Sequence, residues 1–126
     1  MTSIQRSDRD QLVFATLVST GVAPFWTRPG VFQIRIKKPA EKMTKAYTPG
    51  DPDFYYIEDV PWTMYFDEDR ALHGAYWHNF FGYERSHGCV NLSISAARWV
   101  FRWTLPTVPT SEVDVFEDDG TGVDVI

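Results

Sequence analysis

The 126-residue sequence has a single cysteine, Cys89, which excludes an internal disulfide and any site built from several cysteines. It lacks the run of roughly 18 apolar residues that a membrane-spanning helix needs. Its first residues show no signal peptide, which leaves either an intracellular protein or the mature part of an exported one. The net charge is −5 and the basic residues are scattered, so no nucleic acid partner is expected.

The composition of the chain is typical of one folded domain. Hydrophobic residues make up 44% of the chain and aromatic residues 16%, which is enough apolar material for one core. Charged residues make up 23% and no low-complexity block occurs, so disorder is not expected. We therefore expect one domain over residues 1–126.

Alternating residues predict that most of this domain is β-sheet. Residues 11–21 are rich in β-branched side chains and end in Ser-Thr-Gly, which is typical of a strand that enters a turn. Residues 61–69 read as an aromatic strand closed by an acidic turn, and residues 71–93 as short strands and loops. Residues 27–38 predict a Pro-Gly turn followed by one half-buried strand. Its two faces are predicted to be Phe32, Ile34 and Ile36 on one side and Val31, Gln33, Arg35 and Lys37 on the other.

One helix and one hairpin complete the predicted fold. Residues 93–105 carry apolar side chains at helical spacing, with a serine to cap the start and Pro106 to end the helix. Residues 112–126 alternate around an Asp-Asp-Gly turn and predict a C-terminal β-hairpin. The fold class is therefore mainly β, a mixed sandwich or barrel with one helix against it.

Cys89 lies close in sequence to all three histidines of the chain. A thiol needs a neighbouring base to become a nucleophile near neutral pH, and that base needs a third group to orient it. His73, His78 and His87 lie within seventeen residues of one segment that also holds Cys89. Gly88 allows the backbone to turn its N–H groups toward one point, as an oxyanion hole requires. The residues therefore favour acyl transfer through a thioester.

The same segment resembles the signature of the L,D-transpeptidase, or YkuD-type, catalytic domain. That signature is a His-Gly pair followed, after a gap, by Ser/Thr-His-Gly-Cys, a hydrophobic residue and Asn. Here the pair is His73-Gly74, and the second part runs from Ser86 to Asn91. Further blocks that resemble the family in its order are residues 18–21, 27–34, 60–66 and 120–125, with the helix after residue 93. The resemblance implies a mixed β fold with the helix directly after the nucleophile loop.

The resemblance also implies a role for each signature residue. Cys89 would be the nucleophile, and His73 the general base and acid. The carbonyl of Gly74 would orient the imidazole, in place of the carboxylate of a Ser-His-Asp triad. Backbone N–H groups at His87, Gly88 and Cys89 would form the oxyanion hole. No metal or other cofactor is expected.

The implied substrates are peptidoglycan stem peptides. Ser86 and Asn91 are expected to bind them, although both can also be explained as residues that shape the nucleophile loop. Residues 39–60 are predicted to be a long loop that resembles the family's substrate-capping flap, with Tyr47 on it. The pocket is expected to include Trp62, Met64 and Tyr65. The resemblance further implies an extracytoplasmic location and inhibition by carbapenem β-lactams.

Several alternatives stay open at this stage. A hydrolytic relative, an L,D-carboxypeptidase, would use the same nucleophile with water as the acceptor. The three histidines and Cys89 could instead form a zinc site, although their spacing matches no zinc-finger pattern. A wall-binding module without catalysis is a third class, but binding needs no Cys–His pair. Domains of the family usually begin with one or two more strands, which leaves either a truncated chain or a minimal sheet.

Overall fold

The computed structural model describes residues 3–8, 11–45, 55–109, 114–116 and 120–126. The strands are β1 Ser3–Asp8, β2 Gln11–Leu17, β3 Gly30–Gln33, β4 Ile36–Lys45, β5 Tyr55–Asp67, β6 Arg70–Gly74, β7 Val90–Leu92, β8 Val115–Phe116 and β9 Gly122–Val125, and the helix α1 is Ile94–Trp103. None of the described residues forms a helix long and apolar enough to cross a membrane.

The strands form a five-stranded sheet in the order β7-β6-β5-β4-β8 and two ribbons, β1-β2 and β3-β9. All pairs are antiparallel except β6 and β7, which are parallel. The predicted mainly β fold, with mixed strand directions and a helix after the Cys89 loop, is confirmed. The strand β1 was not predicted from the sequence.

Alternation along the strands gives the five-stranded sheet two buried faces. One face packs against α1 and forms the main core, in which Met64, Phe66, Leu72, Val90 and Leu92 are at most 2% exposed. The opposite face carries a smaller group, which we call the cavity-side cluster: Met43, Val60 and Ala71, with Ile57, Tyr65 and Cys89 packed against them. Each fully buried large apolar side chain contributes about 1.5–3 kcal/mol to stability.

The helix is where the sequence predicts it. The hydroxyl of Ser93 accepts the N–H of Ala96 at 3.3 Å and so caps the first turn. The buried face includes Ala97, Val100 and Phe101, at the spacing that places them on one side of a helix. The last helical residue is Trp103, and Pro106 follows within one turn.

The predicted strand over 27–38 is wrong as a single element. It divides into β3 and β4, which belong to different sheets. Between them, the N–H of Ile34 donates to the carbonyl of Thr121 at 2.9 Å, while the N–H of Arg35 donates to the carbonyl of Tyr65 at 3.0 Å. The chain therefore passes from one sheet to the other at this point.

The predicted C-terminal hairpin is also wrong, for the same reason. β8 pairs with β4, and β9 pairs with β3, so the two strands lie in different sheets. The backbone at Gly120 passes close to the backbone at Ile34. A Cβ at residue 120 would lie only 1.6 Å from the Ile34 carbonyl oxygen. Because glycine has no side chain, the segment between β3 and β4 and the segment between β8 and β9 can approach closely where each passes from one sheet to the other.

The segment 39–60 is not the long loop that its prolines and charges suggest. Residues up to Lys45 continue β4, and residues from Tyr55 onward belong to β5, so the two strands form a long antiparallel pair. Tyr47, which was expected on a capping flap, lies outside the described residues.

Lys37 differs most from its predicted position on a polar face. It pairs with Met64 across the sheet and is fully buried beneath α1. Its amine donates to the carbonyls of Phe101 and Thr104, both at 2.6 Å, at the end of the helix. Burial lowers the pKa of Lys37 to about 8, but even a neutral amine has two hydrogens for these two carbonyls. Lys37 therefore satisfies carbonyls that the helix leaves without intrahelical partners.

We expect Lys37→Ala to lower the free energy of unfolding by about 2–4 kcal/mol, because it leaves a cavity and two unsatisfied buried carbonyls. Lys37→Met, which keeps most of the volume, should lose less. Urea denaturation followed by tryptophan fluorescence measures both, with the exposed Lys42→Ala as the matched control. An equal, small effect for all three variants would contradict the role of Lys37.

Candidate active site

Strand pairing brings His73 next to the loop that carries Cys89. In the parallel pair of β6 and β7, His73 is the register partner of Asn91, and Cys89 immediately precedes β7. His73 shares a face with Ala71, and Asn91 points away from the main core that Val90 enters, so both face the cavity-side cluster. His73, Cys89 and Asn91 line one cavity of about 130 Å³.

His73 is held as a neutral base. The ring is 2% exposed, and Nδ1 lies 2.9 Å from the carbonyl oxygen of Gly74. Because a carbonyl only accepts, Nδ1 carries the proton and Nε2 is left as the basic nitrogen. Burial lowers the pKa of His73 to about 4, partly opposed by the hydrogen bond to Gly74. The ring is therefore neutral at neutral pH, with the lone pair of Nε2 available as an acceptor.

Cys89 is half-buried at the edge of the cavity-side cluster. Its sulfur lies 3.8 Å from the carbonyl oxygen of Asp69, in the turn between β5 and β6. The preceding residue, Gly88, has φ +118, a conformation that side chains other than glycine rarely adopt. A Cβ at Gly88 would also lie 3.2 Å from Nε of Arg70. The sequence therefore needs glycine here to present the thiol.

Ser86 closes the Cys89 loop on itself. Its hydroxyl donates to the carbonyl of Cys89 and accepts the N–H of Gly88 at 3.2 Å. The N–H of Gly88 thus also helps to close the loop. A role in an oxyanion hole stays a prediction for Gly88, for Cys89 and for His87, which is exposed at the cavity.

A support that the sequence analysis missed lies behind this loop. The hydroxyl of Thr27 accepts the N–H of Gly21 at 3.1 Å and donates to the carbonyl of Gly88 at 2.8 Å. A Cβ at Gly21 would lie 2.9 Å from the nitrogen of Gly88, so the two backbones approach closely. The sequence signal for this support was the pair of blocks at 18–21 and 27–34, which resemble the family. Both blocks contact the Cys89 loop, which explains why they occur together with the signature.

Two of the expected pocket residues lie elsewhere, because of their position along β5. Met64 is fully buried in the main core, and Trp62, two residues earlier on the same face, packs edge-on against Phe101. Tyr65 is on the cavity side, but it packs against the cavity-side cluster and its hydroxyl donates to Glu41 at 3.1 Å. Met64 therefore lies on the face of the sheet that packs against the helix, and it does not line this cavity.

Other side chains complete the lining of the cavity. Met43 and Ile57 reach it from β4 and β5, within the segment 39–60 that was expected to cap the substrate. Trp77 and Arg85 reach it from the loop between β6 and β7, and the Trp77 ring lies 5.7 Å from that of His73. The cavity is therefore lined by apolar side chains together with polar groups that include Cys89 and His73.

The zinc alternative finds no support in this geometry. Among the described residues, which include all three histidines and Cys89, no three side chains of His, Cys, Asp or Glu lie close enough to hold one metal ion. His78 bonds to Asn91 instead.

Comparison with known proteins adds independent information. The sequence profile of the L,D-transpeptidase catalytic domain, YkuD, matches residues 3–125. No curated protein sequence gives a significant match.

Several solved structures share the fold. An L,D-transpeptidase from Mycobacterium smegmatis is 22% identical with a TM-score of 0.75, over 93% of this chain and 54% of that one. The transpeptidase LdtMt1 in complex with imipenem is 22% identical with a TM-score of 0.69, over 86% and 50%. L,D-transpeptidase 3 from Mycobacterium tuberculosis, with a faropenem-derived adduct, is 21% identical with a TM-score of 0.66, over 91% and 48%. This chain spans about half the length of these proteins.

We expect Gly88→Ala to slow the alkylation of Cys89 by iodoacetamide at least about tenfold, because a side chain at this φ and beside Arg70 displaces the loop. Gly82→Ala is the matched control: Gly82 also has a positive φ, but its Cβ would meet only a side-chain carbon of Leu17 at 3.6 Å. Both variants should lose about 1 kcal/mol of stability. Equal alkylation rates in the two variants would show that Gly88 does not position the thiol.

Proposed function

The chain belongs to the L,D-transpeptidase catalytic domain family, and on that premise we propose that it is a peptidoglycan L,D-transpeptidase with Cys89 as nucleophile. The observation that carries the proposal is the hydrogen bond from His73 Nδ1 to the Gly74 carbonyl. It leaves Nε2 as a basic nitrogen in the cavity that Cys89 shares.

The first half of the reaction forms a thioester. Nε2 of His73 takes the thiol proton as the sulfur adds to the carbonyl carbon between the third residue and the terminal D-Ala of a stem tetrapeptide. Backbone N–H groups of the nucleophile loop stabilise the oxyanion. The C–N bond then breaks, His73 returns its proton to the leaving nitrogen, and D-Ala departs.

In the second half, the amine of a neighbouring stem attacks the thioester. His73 accepts a proton from that amine, the C–S bond breaks, and the thiol is restored with a 3→3 cross-link as product. An L,D-carboxypeptidase would differ only in using water in place of the amine. Because the proposed substrate is the cell wall, we place the protein outside the cytoplasm. Its solved neighbour in complex with imipenem favours carbapenems as inhibitors.

Intact mass spectrometry after incubation with disaccharide tetrapeptide tests the proposal. We expect an acyl adduct on Cys89, release of D-Ala and a cross-linked dimer, while tripeptide alone would identify a hydrolase. Prior treatment with a carbapenem should leave a covalent adduct and block both products. The absence of any Cys89 adduct with either compound would remove the basis of the proposal.

Two histidine variants separate the base from its neighbour. His73→Ala should abolish acylation, whereas His87→Ala, which removes an exposed ring from the same cavity, should only weaken it. Comparable acylation in wild type and His73→Ala would transfer the role of base to another group.

The pH dependence of carbapenem acylation follows from the state of His73. The base must be neutral, and with a pKa of about 4 in place of 6.5 it stays neutral through the weakly acidic range. We expect the acylation rate to be flat between about pH 5 and 7 and to fall tenfold per pH unit only below about 4. Stopped-flow measurement of the adduct tests this, and a rate that already falls between pH 7 and 5 would contradict it.

A further inference from the structure

The family signature assigns no role to His78, yet both nitrogens of its ring are engaged. The backbone N–H of Phe80 donates to Nδ1 at an N···N distance of 3.1 Å. On the other side of the ring, Nε2 lies 3.0 Å from the side-chain amide nitrogen Nδ2 of Asn91. His78 thus links the loop after β6 to the strand that follows the nucleophile.

The contact with Phe80 fixes the tautomer of His78. A backbone N–H can only donate, so Nδ1 must be the unprotonated nitrogen, and in a neutral ring Nε2 then carries the hydrogen. Burial lowers the pKa of His78, and the cation of Arg85 lowers it further. His73, the other titratable group that interacts with it, is itself neutral. These surroundings favour the neutral ring.

The tautomer in turn fixes the orientation of the Asn91 amide. An Nε2–H donor needs an acceptor, so Asn91 must turn its oxygen toward His78; an amide nitrogen there would place two donors against each other. The orientation with Nδ2 on His78 also leaves Oδ1 buried, with no partner among the described residues, and a half-turn of the amide about its terminal bond removes both conflicts. With the oxygen on His78, the NH₂ group takes the other, buried end of the amide.

This NH₂ group belongs to a residue of the candidate active site. Asn91 is 2% exposed, lines the cavity with His73 and Cys89, and is the register partner of His73. A buried donor needs an acceptor, and an oxygen atom of a ligand that enters this cavity would supply one.

We propose that His78 is a positioning residue that fixes the Asn91 amide, so that its NH₂ group donates to a carbonyl or carboxylate oxygen of the acyl donor. This inference rests on the proposed function for the identity of the ligand. The orientation of the His78–Asn91 pair does not depend on it.

The orientation is tested by NMR without any substrate. In ¹⁵N-labelled protein at pH 7, long-range ¹H–¹⁵N spectra of the imidazoles report which nitrogen is protonated, and loss of the signals in His78→Phe assigns them. We expect a neutral His78 with the proton on Nε2. A proton on Nδ1, or an imidazolium, would overturn the proposal.

The consequence for binding is tested by the kinetics of Cys89 acylation. His78→Phe keeps a ring against Phe81, 5.1 Å away, but removes both hydrogen bonds. We expect the apparent KM to rise about tenfold, with the rate at saturation within about twofold of wild type. His78→Gln, which returns a donor at the position of Nε2, should recover most of the loss. Tyr83→Phe, an exposed hydroxyl in the same loop, should change nothing.

Alkylation of Cys89 by iodoacetamide separates positioning from general damage to the site, and should be unchanged in His78→Phe. Parallel losses of alkylation and acylation, or an unchanged KM, would contradict the proposal. If wild type is not acylated by tetrapeptide or carbapenem, the proposed function fails, while the NMR result still decides whether His78 orients Asn91.

Discussion

The parallel pairing of β6 with β7 is the interaction on which the candidate site depends. Parallel neighbours lie about 4.8 Å apart, and this register sets His73 beside Asn91, two residues after Cys89. The same strand end supplies the Gly74 carbonyl that orients the imidazole. The position of His73 beside the Cys89 loop therefore follows from backbone hydrogen bonding between the two strands, which a loop of fifteen residues connects.

The loop is fixed from behind by the segment after β2. Ser19 and Asn91 exchange backbone hydrogen bonds at 2.9 and 2.8 Å, and the N–H of Val22 donates to the carbonyl of Ser86 at 2.9 Å. Thr27 adds a side-chain link to Gly88. A thiol on a loop is precisely placed only when such contacts restrict the loop. Within the loop itself, the hydroxyl of Ser86 accepts the N–H of Gly88.

Local signals in the sequence were sufficient for the helix, for several strands and for the Cys89 segment, because caps, periodicity and the signature lie within short stretches. They failed where a tertiary contact decides. The close approach of Gly120 to Ile34 sends neighbouring strands into different sheets, so neither the strand 27–38 nor the C-terminal hairpin exists as predicted. Lys37 is buried because its amine donates to the backbone carbonyls at the end of α1, a helix that is distant in sequence. The sequence does not indicate which face of β5 carries Met64, and alternation along the strand places it in the core and not in the predicted pocket.

A crystal structure of the protein acylated by a carbapenem is the most direct test of the account. We predict density continuous with the sulfur of Cys89, the Nε2 of His73 directed at that sulfur, and Nδ1 still bonded to the Gly74 carbonyl. An adduct on another residue, or a His73 ring beyond the reach of the sulfur, would contradict the central claim that strand pairing assembles the catalytic pair.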